Sequence, residues 1–229
     1  MIRLSRKIAV LALSLFANAP ALAAEEAAPV QLNQAQQLVF MQDHLWDIPK
    51  GSSLNYIFTS ETKDVESYSD RVKITVTNVT EDAGRDLEFD FLSGPNHIDF
   101  TPAVGYTGNP VIIHFLERDI SQMVRETDGT NGYFRNRIRK SFSQPKRVRD
   151  IKLSFQGKEL DGVEVVVEPF ISDPNVAQFQ IYAKKRYEFT FSEQVPGGVY
   201  RIHTLVPGEN GVGVLIDEEL KFHQLTPES

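Results

Sequence analysis

Beyond residue 53 the chain returns repeatedly to a period of two. Leu54, Tyr56 and Phe58 alternate with smaller or polar residues, as do Val72, Ile74 and Val76, and then Leu87, Phe89 and Phe91 around Glu88 and Asp90. The pattern resumes with Ile151, Leu153 and Phe155, Val163, Val165 and Val167, and Tyr187, Phe189 and Phe191. It closes with Tyr200, Ile202, Thr204 and Val206, and with Val212, Val214 and Ile216 before Leu220 and Phe222. Successive side chains of a strand point to opposite faces, so each run places its apolar residues on one side of a sheet. Turn-forming stretches separate the runs at Thr80 to Gly84, Gly157-Lys158, Pro196-Gly197-Gly198 and Gly208 to Gly211. Such short connections make neighbouring strands antiparallel. About eight strands are expected.

A sheet with one oily face must cover it, and the sequence supplies the cover in the middle of the chain. After a long loop from Gly94 to Gly108, Asn109-Pro110 opens a helix near 110–127, with Ile112, Ile113, Leu116, Ile120, Met123 and Val124 at helical spacing and Asp128-Gly129 as its stop. A second helix near 132–143 carries Phe134, Ile138 and Phe142 on one stripe, and Pro145 follows it. Asn33 to Leu45 reads as a shorter helix using Leu38, Met41 and Leu45. The order of elements predicts an α+β fold: a curved, mostly antiparallel sheet, an incomplete barrel, whose concave face is covered by two mid-chain helices. Residues 24–45 form a leader and short helix, and 46–229 a single domain.

The first 23 residues carry a different message. Arg3, Arg6 and Lys7 precede a short apolar stretch from Ile8 to Ala17, and Ala21-Leu22-Ala23 offers the small residues of a cleavage site. This pattern predicts a signal peptide cut after Ala23 and export to the periplasm. The rest then has 21 cations to 31 acids, a formal charge of −10, which argues against a general nucleic-acid binder. The sequence contains no cysteine, which excludes disulfides, thiolate metal sites, a thiol nucleophile and lipid attachment through cysteine. No apolar run reaches the roughly 18 residues of a spanning helix.

Export and element order together resemble the LolA/LolB-like superfamily of periplasmic lipoprotein carriers. That resemblance covers nearly the whole exported chain and is one of topology. It implies a curved, incomplete antiparallel barrel wrapped around helices, with a greasy cavity between them.

Signatures of chemistry are sparse. The sequence has no nucleophile elbow, no H-E-x-x-H, no Walker-type phosphate loop and no EF-hand loop. No catalytic residue, metal ligand or cofactor is expected. His114 and Glu117 stand three apart on the first long helix, the least poor acid–base pair for an envelope-polymer hydrolase, but Arg118, Ser121, Gln122 and Arg125 accompany them as a solvated face would. Two features point instead to binding. Seven cations and no acid lie between Asn131 and Arg149, and of these Arg135, Arg137, Arg139 and Lys140 sit on the second helix as candidates for holding phosphate or carboxylate. The strand aromatics Tyr56, Phe58, Phe89, Phe91, Phe155, Phe189 and Phe191 are candidates for lining an acyl-chain pocket. A carrier of a lipid or other amphiphile is the leading expectation, and an adaptor gripping an envelope protein through the arginine-rich surface is the alternative.

Overall fold

The computed structural model describes residues 31–208 and 212–227. Nine strands form one sheet: β1 (Ser53–Thr62), β2 (Tyr68–Val79), β3 (Arg85–Phe91), β4 (Ala103–Tyr106), β5 (Arg147–Phe155), β6 (Lys158–Val167), β7 (Arg186–Phe191), β8 (Val199–Pro207) and β9 (Val214–Thr226). Their order is β4-β3-β2-β1-β9-β8-β7-β6-β5, antiparallel throughout, with β4 and β5 as free edges. The sheet is therefore two meanders joined where the last strand returns to pair with the first. Helices α2 (Val111–Glu126) and α3 (Asn131–Ser141) occupy the connection between the meanders. This is the open α+β sheet that the alternation predicts.

The inward register explains the pairing. On β1, Leu54, Tyr56 and Phe58 are buried, and Tyr56 and Phe58 face Phe222 and Leu220 of β9 across the ladder. Slipping the register by one residue would turn all of these side chains to solvent. Helix α2 buries Ile112, Phe115, Leu116, Ile120 and Met123 along its apolar stripe. Its start is anchored by Asn109, whose Oδ1 accepts the Val111 N–H at 3.1 Å while its Nδ2 donates to the Tyr56 hydroxyl and the Gly197 carbonyl, each at 2.7 Å. One amide side chain thus ties the helix to β1 and to the β7–β8 turn. Helix α3 begins at Thr130, whose hydroxyl accepts the Tyr133 N–H at 3.2 Å, an ordinary N-cap.

Two elements depart from expectation. The ninth strand, β4, lies inside the segment expected as a loop. It has four residues, an exposed Val104 and only two register pairs with β3, Arg85 with Tyr106 and Leu87 with Ala103, so it leaves no periodic trace. Gly84 permits this edge to close: a Cβ there would lie 2.7 Å from the Gly105 carbonyl. The N-terminal helix is also shorter than Asn33 to Leu45. An α-helical turn, α1 (Gln34–Gln36), runs into a π-helical turn over Gln37–Met41 and stops. Ala35 and Val39 are its buried residues, Met41 is exposed, and Leu45 is buried in the following loop. The signal peptide expected over 1–23 and residues 209–211 of the expected final turn lie outside the described residues.

Candidate functional site

The seven strand aromatics fall into two groups. Phe58 packs on Phe115 of α2 with ring centroids 6.4 Å apart, and Phe189 on Phe142 at the end of α3 at 5.4 Å. Phe89 and Phe91 meet His114 of α2 at 4.3 and 6.2 Å, Tyr56 meets Phe222 at 5.4 Å, and Phe191 stacks on His44 at 5.6 Å. Tyr56, Phe58, Phe91 and Phe189 are each no more than 1% exposed. A ring lining a chamber wide enough for water would retain accessible area, so these four sit in dense packing of the ordinary kind for protein interiors. Phe191 also borders a cleft of about 640 Å³ at the sheet margin. Phe155 stands apart: its ring meets Tyr200 and Phe222 at 6.1 and 5.6 Å, and it borders a separate cleft of about 580 Å³.

Apolar room lies on the helix layer. Phe40, Ile113, Leu116, Ile120, Ile138 and Phe142 line a groove of about 280 Å³ between α2 and α3, with Glu117, Arg135 and Arg139 at its edges. Its floor is Leu116, Ile120, Ile138 and Phe142, all buried, while Ile113 and Phe40 form partly exposed walls. The Phe40 ring leans edge-on against Phe142 at 5.3 Å. Phe40 and Arg139 also border a larger cleft of about 800 Å³, to which Met41, Arg137 and Lys140 contribute. The four candidate cations of α3 thus gather around two adjoining depressions. Sequence reading missed Phe40, Ile113 and Phe142 as pocket residues because each belongs to a helical stretch whose stripe reads as plain core.

His114 and Glu117 share α2 but not a task. The His114 ring is sandwiched against Phe100, 3.8 Å away and parallel within 4°, and Phe89 meets it edge-on. Burial among these rings lowers its pKa to about 4, against the opposing charge of Glu117. Glu117 receives two hydrogen bonds from Arg135, both 2.7 Å. The expected solvated face is therefore corrected in its first half: aromatic and ionic partners from β3, α3 and β9 reach His114, Glu117 and Arg118, whereas Ser121 and Arg125 are exposed.

Arg118 and Asp119 make that docking specific. Arg118 donates to Glu218 of β9 at 2.5 Å and lies 4.7 Å over the Phe58 ring, and Ser60 donates to the same carboxylate at 3.1 Å. Asp119 accepts from Lys185 Nζ at 2.6 Å and from the Tyr187 hydroxyl. Burial beside the Asp119 charge holds the Tyr187 phenol well above its ordinary pKa. These ion pairs clamp α2 to the sheet. Among the described residues no group of three or more His, Asp or Glu is placed to hold a metal ion, and no helix is long and apolar enough to cross a membrane.

An open antiparallel sheet carrying helices on one face, with apolar room between those helices, defines the class of architecture. No family model matches the chain, and no curated protein matches its sequence. Among crystal structures the chain is similar to lipoprotein LppX of Mycobacterium tuberculosis, at 9% identity and a TM-score of 0.32 over 77% of this chain and 86% of that one. It is similar to LprF of Mycobacterium bovis at 12% identity and a TM-score of 0.33, over 83% and 92% of the two chains. It is also similar to a LolA superfamily protein of Nitrosomonas europaea at 7% identity and a TM-score of 0.24, over 85% and 94%.

Proposed function

We propose that this protein binds and carries a hydrophobic ligand, and that the ligand's chain lies in the groove between α2 and α3. The observation that carries the reading is the groove itself, an open apolar depression walled by Phe40, Ile113, Leu116, Ile120, Ile138 and Phe142, while Tyr56, Phe58, Phe91 and Phe189 of the sheet are packed. Its volume of about 280 Å³ is at the lower end of ligand sites. That suits one acyl chain better than a bulky polycycle. Burying methylene groups there would contribute about 0.8 kcal/mol each before the cost of ordering the chain. The carrier acts outside the cytoplasm in this proposal, supported by the basic start, the apolar stretch and Ala21-Leu22-Ala23.

The test is native mass spectrometry after incubation with dodecanol, a neutral single-chain probe. A one-to-one adduct is expected, and Ile113→Glu, which puts a charge on an exposed wall of the groove, should abolish it while the protein remains folded by circular dichroism. Absence of the adduct in the unmodified protein, or its survival in the Ile113→Glu variant, contradicts the proposal.

A further inference from the structure

The seven cations between Asn131 and Arg149 sort into two groups. Arg135 is held by Glu117, Arg137 by Asp173 at 2.5 Å, Lys146 by Glu168 at 2.5 Å, and Arg147 and Arg149 share Glu164 at 2.7 and 3.1 Å. Arg139 and Lys140 have no carboxylate within 4.0 Å among the described residues. Unlike the other five of this run, these two are exposed neighbours on one helix turn. Both border the cleft of about 800 Å³, and no acid lines it. A place in the last turn of α3 suits them, since cations there interact favourably with the helix dipole. That effect explains why they stabilise the helix end. It does not explain why acids are kept from the cleft in front of them.

The cleft is also continuous in its lining with the apolar groove, because Phe40 and Arg139 border both. We infer that Arg139 and Lys140 form a seat for a phosphate or carboxylate group, and that the groove and seat together select anionic single-chain amphiphiles over neutral or cationic ones. This rests on the preceding reading of the groove. Arg139 supplies a planar fork of donors that matches such oxyanions, and Lys140 supplies a mobile point charge. Asn136, on the same cleft wall, adds an amide that can donate to the anion.

The experiment compares dodecyl phosphate, dodecanol and dodecylammonium by calorimetry on the unmodified protein and on the Arg139→Gln/Lys140→Gln variant. Both side chains are exposed, and thermal melting verifies the variant's fold. The unmodified protein should prefer dodecyl phosphate to dodecanol by about tenfold or more, and dodecylammonium should bind weakest. In the variant the phosphate-to-alcohol ratio should fall towards one. A ratio near one in the unmodified protein, a ratio unchanged in the variant, or dodecylammonium binding as tightly as dodecyl phosphate would overturn the inference. Inorganic phosphate alone reads the source of the anion. Saturable binding lost in the variant supports the seat as one for a free anion, whereas head-group preference without phosphate binding supports a lipid head. If neither dodecyl phosphate nor dodecanol binds, the groove reading fails, and the inorganic phosphate measurement decides the seat alone.

Discussion

Asp119 on α2 and Lys185, two residues before Tyr187 on β7, meet at 2.6 Å with both side chains only 1% exposed. Two charges withdrawn from water to this extent are costly to separate. The ammonium also lies 5.1 and 5.4 Å from the ring centroids of Tyr182 and Tyr187, which adds cation–π attraction. Removing one partner leaves the other buried and uncompensated, at a cost of about 3–5 kcal/mol. Lys185→Met should therefore lower unfolding stability by about that amount in urea titration. Lys185→Met combined with Asp119→Leu and Tyr187→Phe should recover most of it, since replacing the whole buried group, including the Tyr187 hydroxyl that donates to Asp119, by apolar side chains is often near neutral. Equal loss in the single and triple variants would contradict this account of the clamp.

The signals for this clamp stand in the sequence, although they are easily passed over. Asp119 falls within the apolar stripe of α2, three residues after Leu116 and four before Met123. Glu218 alternates in phase with Ile216, Leu220 and Phe222, and Lys185 is in phase with Tyr187, Phe189 and Phe191. A charge in an inward register is the visible sign of a buried ion pair, but the sequence does not say which partner it meets. The hairpins and the two long helices were legible because period and turn chemistry specify them locally, whereas the pairing of β9 with β1 was not, since no short turn joins them. The groove was not, because whether Phe142 fills a core or floors a depression depends on how far apart α2 and α3 settle. Edge strand β4 escaped because four residues with two register pairs carry no period.

Two histidines should set the pH dependence of stability with opposite signs. His114 is shifted down to about 4 from an ordinary 6.5, so the unfolded chain takes up the proton more readily than the folded one. Its contribution to stability is lost as pH falls from 6.5 towards 4. His114→Phe keeps the stack on Phe100 and removes the proton. The stability gap between His114→Phe and the unmodified protein should shift in favour of the variant as pH falls through that window, measured as urea midpoints. Parallel curves would contradict the buried, neutral imidazole.

On the outward face, His203 of β8 bridges Glu188 of β7 at 3.2 Å and Asp217 of β9 at 2.8 Å. Burial pulls its pKa down, but the bonds to these carboxylates outweigh it and the net shift is upward. The bond from His203 in turn lowers Glu188 to about 2. The sign follows from linkage: the histidine's contribution is complete below pH 6.5 and is lost as pH rises through its raised folded value, while that of Glu188 is complete above 4.5 and lost as pH falls towards 2. His203→Gln should flatten the loss above pH 6.5, read from the same urea midpoints. An unchanged alkaline limb would contradict the bridge.

Gly198 has φ +69°, and a Cβ there would lie 2.3 Å from His44 Nδ1. His44 is itself fixed by a 2.7 Å bond to the Leu38 carbonyl and by stacking on Phe191, so it has little freedom to move aside. Gly198→Ala should destabilise by more than about 1 kcal/mol, from backbone strain and displacement of this ring. Gly157, also at positive φ but with nothing within 4 Å of its added Cβ, isolates the backbone part of the cost. Gly157→Ala should therefore lose less, and an equal loss in both would show that the His44 contact is immaterial.

The place of the ligand chain can be read directly by photolabelling with dodecanol carrying a terminal diazirine, followed by peptide mapping. Crosslinks are predicted on Leu116, Ile120, Ile138 or Phe142, in peptides from α2 and α3. Crosslinks confined to β1 and β7, at Tyr56, Phe58 or Phe189, would place the ligand between sheet and helices and contradict the groove.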